Sequence, residues 1–140
     1  MVRAVFDTVV FVSALINPHG RCGRLLFELF DRYELVLSPA IIREILEVLL
    51  RPSVVSRATK LREIRLEDIL DLLRLSEVVE PQAKLAVSRD PKDDVFVETA
   101  MEGRADFLVS EDKDLLELDG YRGLRVVRCR EFLELIEAQE

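Results

Sequence analysis

Apolar residues fall along the chain in short blocks separated by turn residues, and the blocks alternate between two spacings. Val2–Phe6 forms a strand-like run, as do Glu34–Leu37, Phe107–Val109 and Arg125–Val127, with Val78-Val79 as a brief further candidate. Between them the helical spacing recurs. Leu25, Leu26, Leu29 and Phe30 fall at i, i+1, i+4 and i+5, and Ile41–Leu50 follows Ser38-Pro39, where Ser is a natural N-cap and Pro suits the first helical position. Pro52 closes that helix. A charged amphipathic stretch over 56–76 reads as more helix, another helix runs from Pro91 to Gly103, placed at C′, and a helical turn lies at Leu115-Leu116. A closing helix begins near Arg130. The apolar run Val9–Ile16 carries on past the first strand and stops at the turn cluster Asn17-Pro18-His19-Gly20. Strands alternating with helices predict a parallel sheet covered on both faces, a single three-layer α/β/α domain over residues 1–140.

Composition narrows the partners. At 140 residues and 49% hydrophobic the chain has room for one core. A net charge of −7 argues against a broad basic surface for duplex nucleic acid, though not against a local basic strip. Arg51, Arg57, Lys60, Arg62 and Arg65 provide such a strip after Pro52, a candidate path for a single-stranded RNA backbone or simply a solvated helical face. Cys22 and Cys129 lack metal-ligand spacing, so buried thiols in a reducing cytoplasm are expected. Asp7 interrupts the N-terminal apolar run, no Ala-x-Ala-like cleavage site follows, and no uninterrupted apolar stretch approaches the roughly 20 residues that span a bilayer. Asn occurs once and Gln twice against 34% charged residues, the composition of a thermophile protein.

The chemistry lies in the carboxylates. Val5-Phe6 and Leu108-Val109 each run into acids, Asp7 on one side and Ser110-Glu111-Asp112-Lys113-Asp114 on the other. In an open α/β sheet ligands bind beyond the carboxyl ends of the strands, so Asp7 and Asp112 meet there if their strands are neighbours. Glu44 has Ile41 and Val48 as its i−3 and i+4 neighbours and sits at the margin of an apolar face, whereas Glu47 lies between Arg43 and Arg51 and reads as an exposed ion-pairing residue. In Asp90-Pro91-Lys92-Asp93-Asp94, Asp90 has the form of an N-cap before Pro at N1. Asp93 shares a face with Phe96 and Ala100 and turns toward the core, while Asp94 lies beside that stripe as a helper or an exposed residue. Asp7 and Asp112 could equally act as caps. Four acidic segments converging on one crevice suit hard divalent cations, which relieve carboxylate repulsion and let an acidic pocket accept a phosphate. His19 sits in a turn, and the chain has no Gly-rich phosphate loop, Gly-x-Ser-x-Gly elbow or Cys/His pairing, which removes P-loop, dehydrogenase and hydrolase-triad chemistry.

The order Val-Phe-Asp-Thr-Val-Val-Phe-Val-Ser-Ala-Leu, then the Glu44 helix, then Arg-Asp-Pro-Lys-Asp-Asp, then Ala-Asp-Phe-Leu-Val-Ser-Glu-Asp-Lys-Asp-Leu-Leu resembles the PIN-domain family, and within it the VapC-like toxins of toxin–antitoxin pairs. The resemblance implies strand order 3-2-1-4-5 and a ribonuclease that cleaves single-stranded RNA with Mg²⁺ or Mn²⁺. Asp7, Glu44, Asp93 and Asp112 would be the catalytic and metal-holding carboxylates, with Asp90, Asp94, Ser110, Asp114 and Thr8 in support. It also implies a homodimer and a cognate antitoxin. One position departs from the family, which usually carries Asn two places after the first Asp; here it is Val9. That departure favours an alternative, a PIN-fold RNA-binding or regulatory module with weakened catalysis. A receiver-like domain phosphorylated on Asp fits less well, because only Asp7, not an acidic pair, follows the first strand.

Overall fold

The computed structural model describes residues 1–54, 56 and 66–139. The strands are β1 (Arg3–Phe6), β2 (Glu34–Leu37), β3 (Glu77–Val78), β4 (Phe107–Val109) and β5 (Arg125–Val127), all parallel in the order β3-β2-β1-β4-β5. The helices are α1 (Thr8–Ile16), α2 (Arg21–Gly23), α3 (Pro39–Leu49), α4 (Leu66–Leu75), α5 (Asp94–Glu102), α6 (Lys113–Leu116) and α7 (Cys129–Ala138). Of the basic strip, Arg51 is exposed, while Arg57, Lys60, Arg62 and Arg65 lie outside the described residues.

Ala4, Val5 and Phe6 are all buried, as are Leu35, Val36 and Leu37, so both faces of the central strands are covered, as in parallel sheets generally. The two coverings can be told apart by register. Phe6 and Phe107 point to one face, where Phe6 meets Phe132 of α7 edge-on at 5.7 Å and Phe107 meets the same ring at 5.4 Å. Tyr33 closes this aromatic cluster and satisfies its buried hydroxyl by donating to the Leu25 carbonyl. Truncating a ring such as Phe132 in this setting costs about 3–5 kcal/mol. Val36 points the other way, against the end of α5. A Cβ on Gly103 would come within 2.4 Å of Val36 Cγ1, so only glycine lets that helix end rest on the sheet.

That contact corrects the expected role of Gly103. Its φ is −81°, and the left-handed position belongs to Arg104 at φ 52°. The Ala105 N–H donates to the Ala100 carbonyl and the Arg104 N–H to that of Met101, a Schellman ending with arginine at C′. Ser38 also differs from expectation. It precedes α3 but makes no cap bond; its buried hydroxyl accepts from Thr99 Oγ1 of α5 and so ties α3 to α5. The stripe at Leu25–Phe30 is helical, but as a π-helical turn over Arg24–Glu28 followed by a 3₁₀ turn over Phe30–Arg32.

Candidate metal centre

β1 and β4 are neighbours, with Phe6 opposite Val109, and the Asp7 N–H donates to the Val109 carbonyl. Asp7 and Ser110 therefore leave their strands side by side at the carboxyl end of the sheet. Asp7 is 4% exposed. Its Oδ1 accepts from the backbone N–H groups of Val9 and Val10 and so caps α1, while Oδ2 accepts the Ser110 hydroxyl. Ser110 Oγ in turn accepts the Asp112 N–H at 2.9 Å, and Asp112 Oδ1 accepts the Asp114 N–H at 2.9 Å. A relay of short-range bonds thus fixes the 110–114 loop to the start of α1. Glu111 braces the same loop from outside, accepting from the Arg128 guanidinium and the Cys129 N–H.

Asp93, Asp112 and Asp114 each offer a carboxylate oxygen, and these lie within 4.8 Å of one another. Oxygens that share one cation at about 2.0–2.6 Å are at most about 4–5 Å apart, so this group fits a single hard divalent ion with little rearrangement. Asp90 and Asp112 also work as caps, but Asp93 makes no cap bond, so the helix ends do not explain its placement. Burial first, then Asp112, Asp90, Asp7 and Asp114, push its carboxyl up to about 6. Burial likewise raises Asp7, against the hydrogen bonds it accepts. Beside Asp7, the buried Thr8 hydroxyl has no hydrogen-bond partner.

The assembled group differs in membership from the four residues singled out in the sequence. Asp114 joins Asp93 and Asp112, and Asp7 stands behind them through Ser110 and by direct charge repulsion. Glu44 is half-buried on α3 and is not part of the three-carboxylate group. Asp90 is exposed at the rim, where it caps the 3₁₀ turn Pro91–Asp93 through the Lys92 N–H. Asp94 is neither exposed nor in the group. It is buried, and its Oδ1 accepts from the N–H groups of Val87 and Ser88, pinning the segment before Asp90. Lys92 and Lys113, exposed neighbours of the ligand candidates, went unnoticed in the sequence; their signal is a lysine inside each acidic string.

The PIN domain pattern matches residues 3–114. The chain belongs to the PIN-domain family. PIN domains are generally nucleases that use divalent metals, and this chain holds a group of three carboxylates. The protein MJ1680 of Methanocaldococcus jannaschii is 35% identical over 119 residues, covering 84% of this chain and 75% of the relative. Two crystal structures share the PIN fold. PAE2754 of Pyrobaculum aerophilum superposes with a TM-score of 0.60 at 17% identity, covering 99% of this chain and 91% of that one. VapBC2 of Rickettsia felis, bound to a DNA fragment from its promoter, gives 0.55 at 14% identity, covering 90% of this PIN domain and 98% of that chain.

The raised Asp93 carboxyl gives a signed expectation for this PIN domain without metal. Its folded pKa exceeds the unfolded value, so the contribution is fully present below pH 3.8 and is lost as pH rises through about 6. In EDTA, the melting temperature of wild type should therefore fall relative to Asp93→Asn between pH 4 and pH 6, and saturating Mg²⁺ should close the gap. A gap that stays constant across that range removes like-charge crowding from the site.

Proposed function

We propose that this PIN domain is a metal-dependent endoribonuclease for single-stranded RNA and the toxin half of a toxin–antitoxin pair. The observation that carries the reading is the convergence of Asp93, Asp112 and Asp114 within 4.8 Å in front of buried Asp7. These three would hold Mg²⁺ or Mn²⁺, which when bound neutralises the carboxylates and polarises a phosphoryl oxygen of the substrate. Hard oxygen donors without His or Cys suit those ions better than zinc.

The chain's own part is placement. Asp7, held at both oxygens, fixes the Ser110–Asp112 turn, and the turn fixes Asp112 and Asp114 opposite Asp93. Asp94 holds the approach to Asp90 and Asp93 in the same way. Lys92 and Lys113, exposed and next to Asp93 and Asp112 in the chain, would supply positive charge for the flanking phosphates of a single strand. The antitoxin and a second copy of the chain belong to the same proposal. Exposed Val9, Leu50, Leu70, Leu75 and Val78 supply apolar surface for such contacts, and VapBC2, bound to a fragment of its promoter DNA, is a fold neighbour. No helix among the described residues is long and apolar enough to cross a membrane, which suits the cytoplasmic location assigned in this reading.

Incubating the protein with a mixed-sequence single-stranded RNA should give cleavage with Mg²⁺ or Mn²⁺ and none in EDTA. Cleavage that persists in EDTA rules out the metal site. A second reading, a PIN fold retained for RNA binding with weakened catalysis, rests on Val9. Binding of the same RNA with no cleavage in either ion would favour it.

A further inference from the structure

Cys22 and Cys129 are 107 residues apart in sequence, yet their Sγ atoms lie 2.9 Å from each other. That is nearer than non-bonded heavy atoms rest, about 3.5–4.0 Å for carbon, and somewhat longer than a covalent S–S bond of about 2.05 Å. The two thiols expected from the sequence are therefore direct neighbours. The elements that carry them are docked independently of sulfur. Arg24 Nη2 donates to Glu137 Oε2 of α7 at 2.7 Å, and a Cβ on Gly23 would meet the Pro18 carbonyl at 2.0 Å, so the chain around Cys22 is held tightly. Cys129, the first residue of α7, is held by its N–H bond to Glu111.

We propose that Cys22 and Cys129 form an intrachain disulfide that clips α2 to the start of α7. The partner needed is a small-molecule disulfide. A pocket of about 410 Å³, lined by both cysteines together with Asn17, Arg21 and Glu111, opens beside them, and half-buried Cys22 is the reachable sulfur. The Cys22 thiolate, its proton released to solvent, attacks one sulfur of the reagent; the reagent's S–S bond breaks and one thiol leaves. Cys129 then loses its proton and attacks Cys22 Sγ, forming the internal S–S bond and releasing the second thiol. Two protein thiols are oxidised and one small disulfide is reduced to two thiols. The hydrogen bond from Cys129 lowers the Cys22 thiol pKa, which favours Cys22 as the first attacker, while the same pairing and burial push Cys129 up. Intracellular disulfides are rare in mesophiles but common in hyperthermophiles, in line with a composition of one Asn and two Gln.

The full chain is treated with oxidised glutathione, or with dithiothreitol, then denatured, alkylated with iodoacetamide and weighed intact. The oxidised sample should be a monomer lighter than the reduced, unalkylated chain by two hydrogens and should carry no label. A clip closing so long a loop should raise the melting temperature of the same chain by roughly 7–14 °C over its reduced form. Cys22→Ser should show no redox-dependent change, and the wild-type comparison stands by itself if that variant fails to fold. Two labels after oxidation, a disulfide-linked dimer, or a disulfide that leaves the melting temperature unchanged would each overturn the proposal.

Discussion

Asp7→Asn should cut RNA cleavage about a hundredfold or more while leaving the metal-free protein as stable as wild type or slightly more so. The loss follows from the position of Asp7, behind the ligand group and bonded to the serine that sets the 110–112 turn. Outer partners of this kind typically cost ten- to hundredfold when removed, and this one also takes negative charge from the pocket. The stability follows from what asparagine keeps. Its amide oxygen can still accept from the Val9 and Val10 N–H groups, and Asn caps helices as well as Asp does. The charge it lacks is a buried one whose ionisation is disfavoured by burial, with repulsion from Asp112 added to it. The Ser110 hydroxyl loses a carboxylate acceptor, which offsets part of that gain. In EDTA the melting temperature should lie within about 3 °C of wild type or above it. Full cleavage by Asp7→Asn, or its failure to fold where Glu47→Gln on the exposed face of α3 is neutral, would reduce Asp7 to a helix cap.

Val9→Asn should raise cleavage tenfold to a hundredfold. The PIN family usually places an amide there, and an amide in the first turn of α1 can bond water or substrate beside Asp7, as valine cannot. Recovering roughly 1.4–2.7 kcal/mol of orientation corresponds to that range. Val9 is 56% exposed, so the substitution exchanges a surface side chain and costs within about 0.5 kcal/mol of stability. Its N–H, already bonded to Asp7, is unaffected by the exchange. Initial rates of wild type, Val9→Asn and Val9→Ala under saturating Mn²⁺ decide the matter. Equal rates for the Asn and Ala variants would show that the missing amide is not what limits cleavage.

β1, β2, β4 and β5 were legible because each is a short apolar run buried on both faces, and α3 because Ser38-Pro39 punctuates its start; β3, whose two residues are exposed, was marked only by Val78-Val79. Val9–Ile16 was harder. Eight nearly unbroken apolar residues have no periodicity to choose helix from strand, and the choice is made by Asp7 capping the first turn. The π-helical turn at Arg24–Glu28 and the rest of α5 on Val36 depend on close approaches of backbone that local pattern does not record. At the site, Asp112 and Asp93 could be picked out because strand ends and helix faces are local properties. Asp94 was singled out too, as a helper or exposed residue, but its burial and its bonds to Val87 and Ser88 arise only when an irregular segment folds back. The Cys22–Cys129 contact is farther still from local pattern, an encounter of two helices that share no sequence feature.

Arg3 lies at the amino end of β1, and its guanidinium joins Glu34 of β2 and Glu77 of β3 while its N–H meets Asp106 just before β4. Four adjacent strands are thus tied at one rim by a single residue, through two ion pairs and a backbone amide, whereas at the other rim the chain gathers like charges. The two ends of the sheet treat their acids differently: at one a single arginine satisfies carboxylates from neighbouring strands, and at the other Asp93, Asp112 and Asp114 stand together.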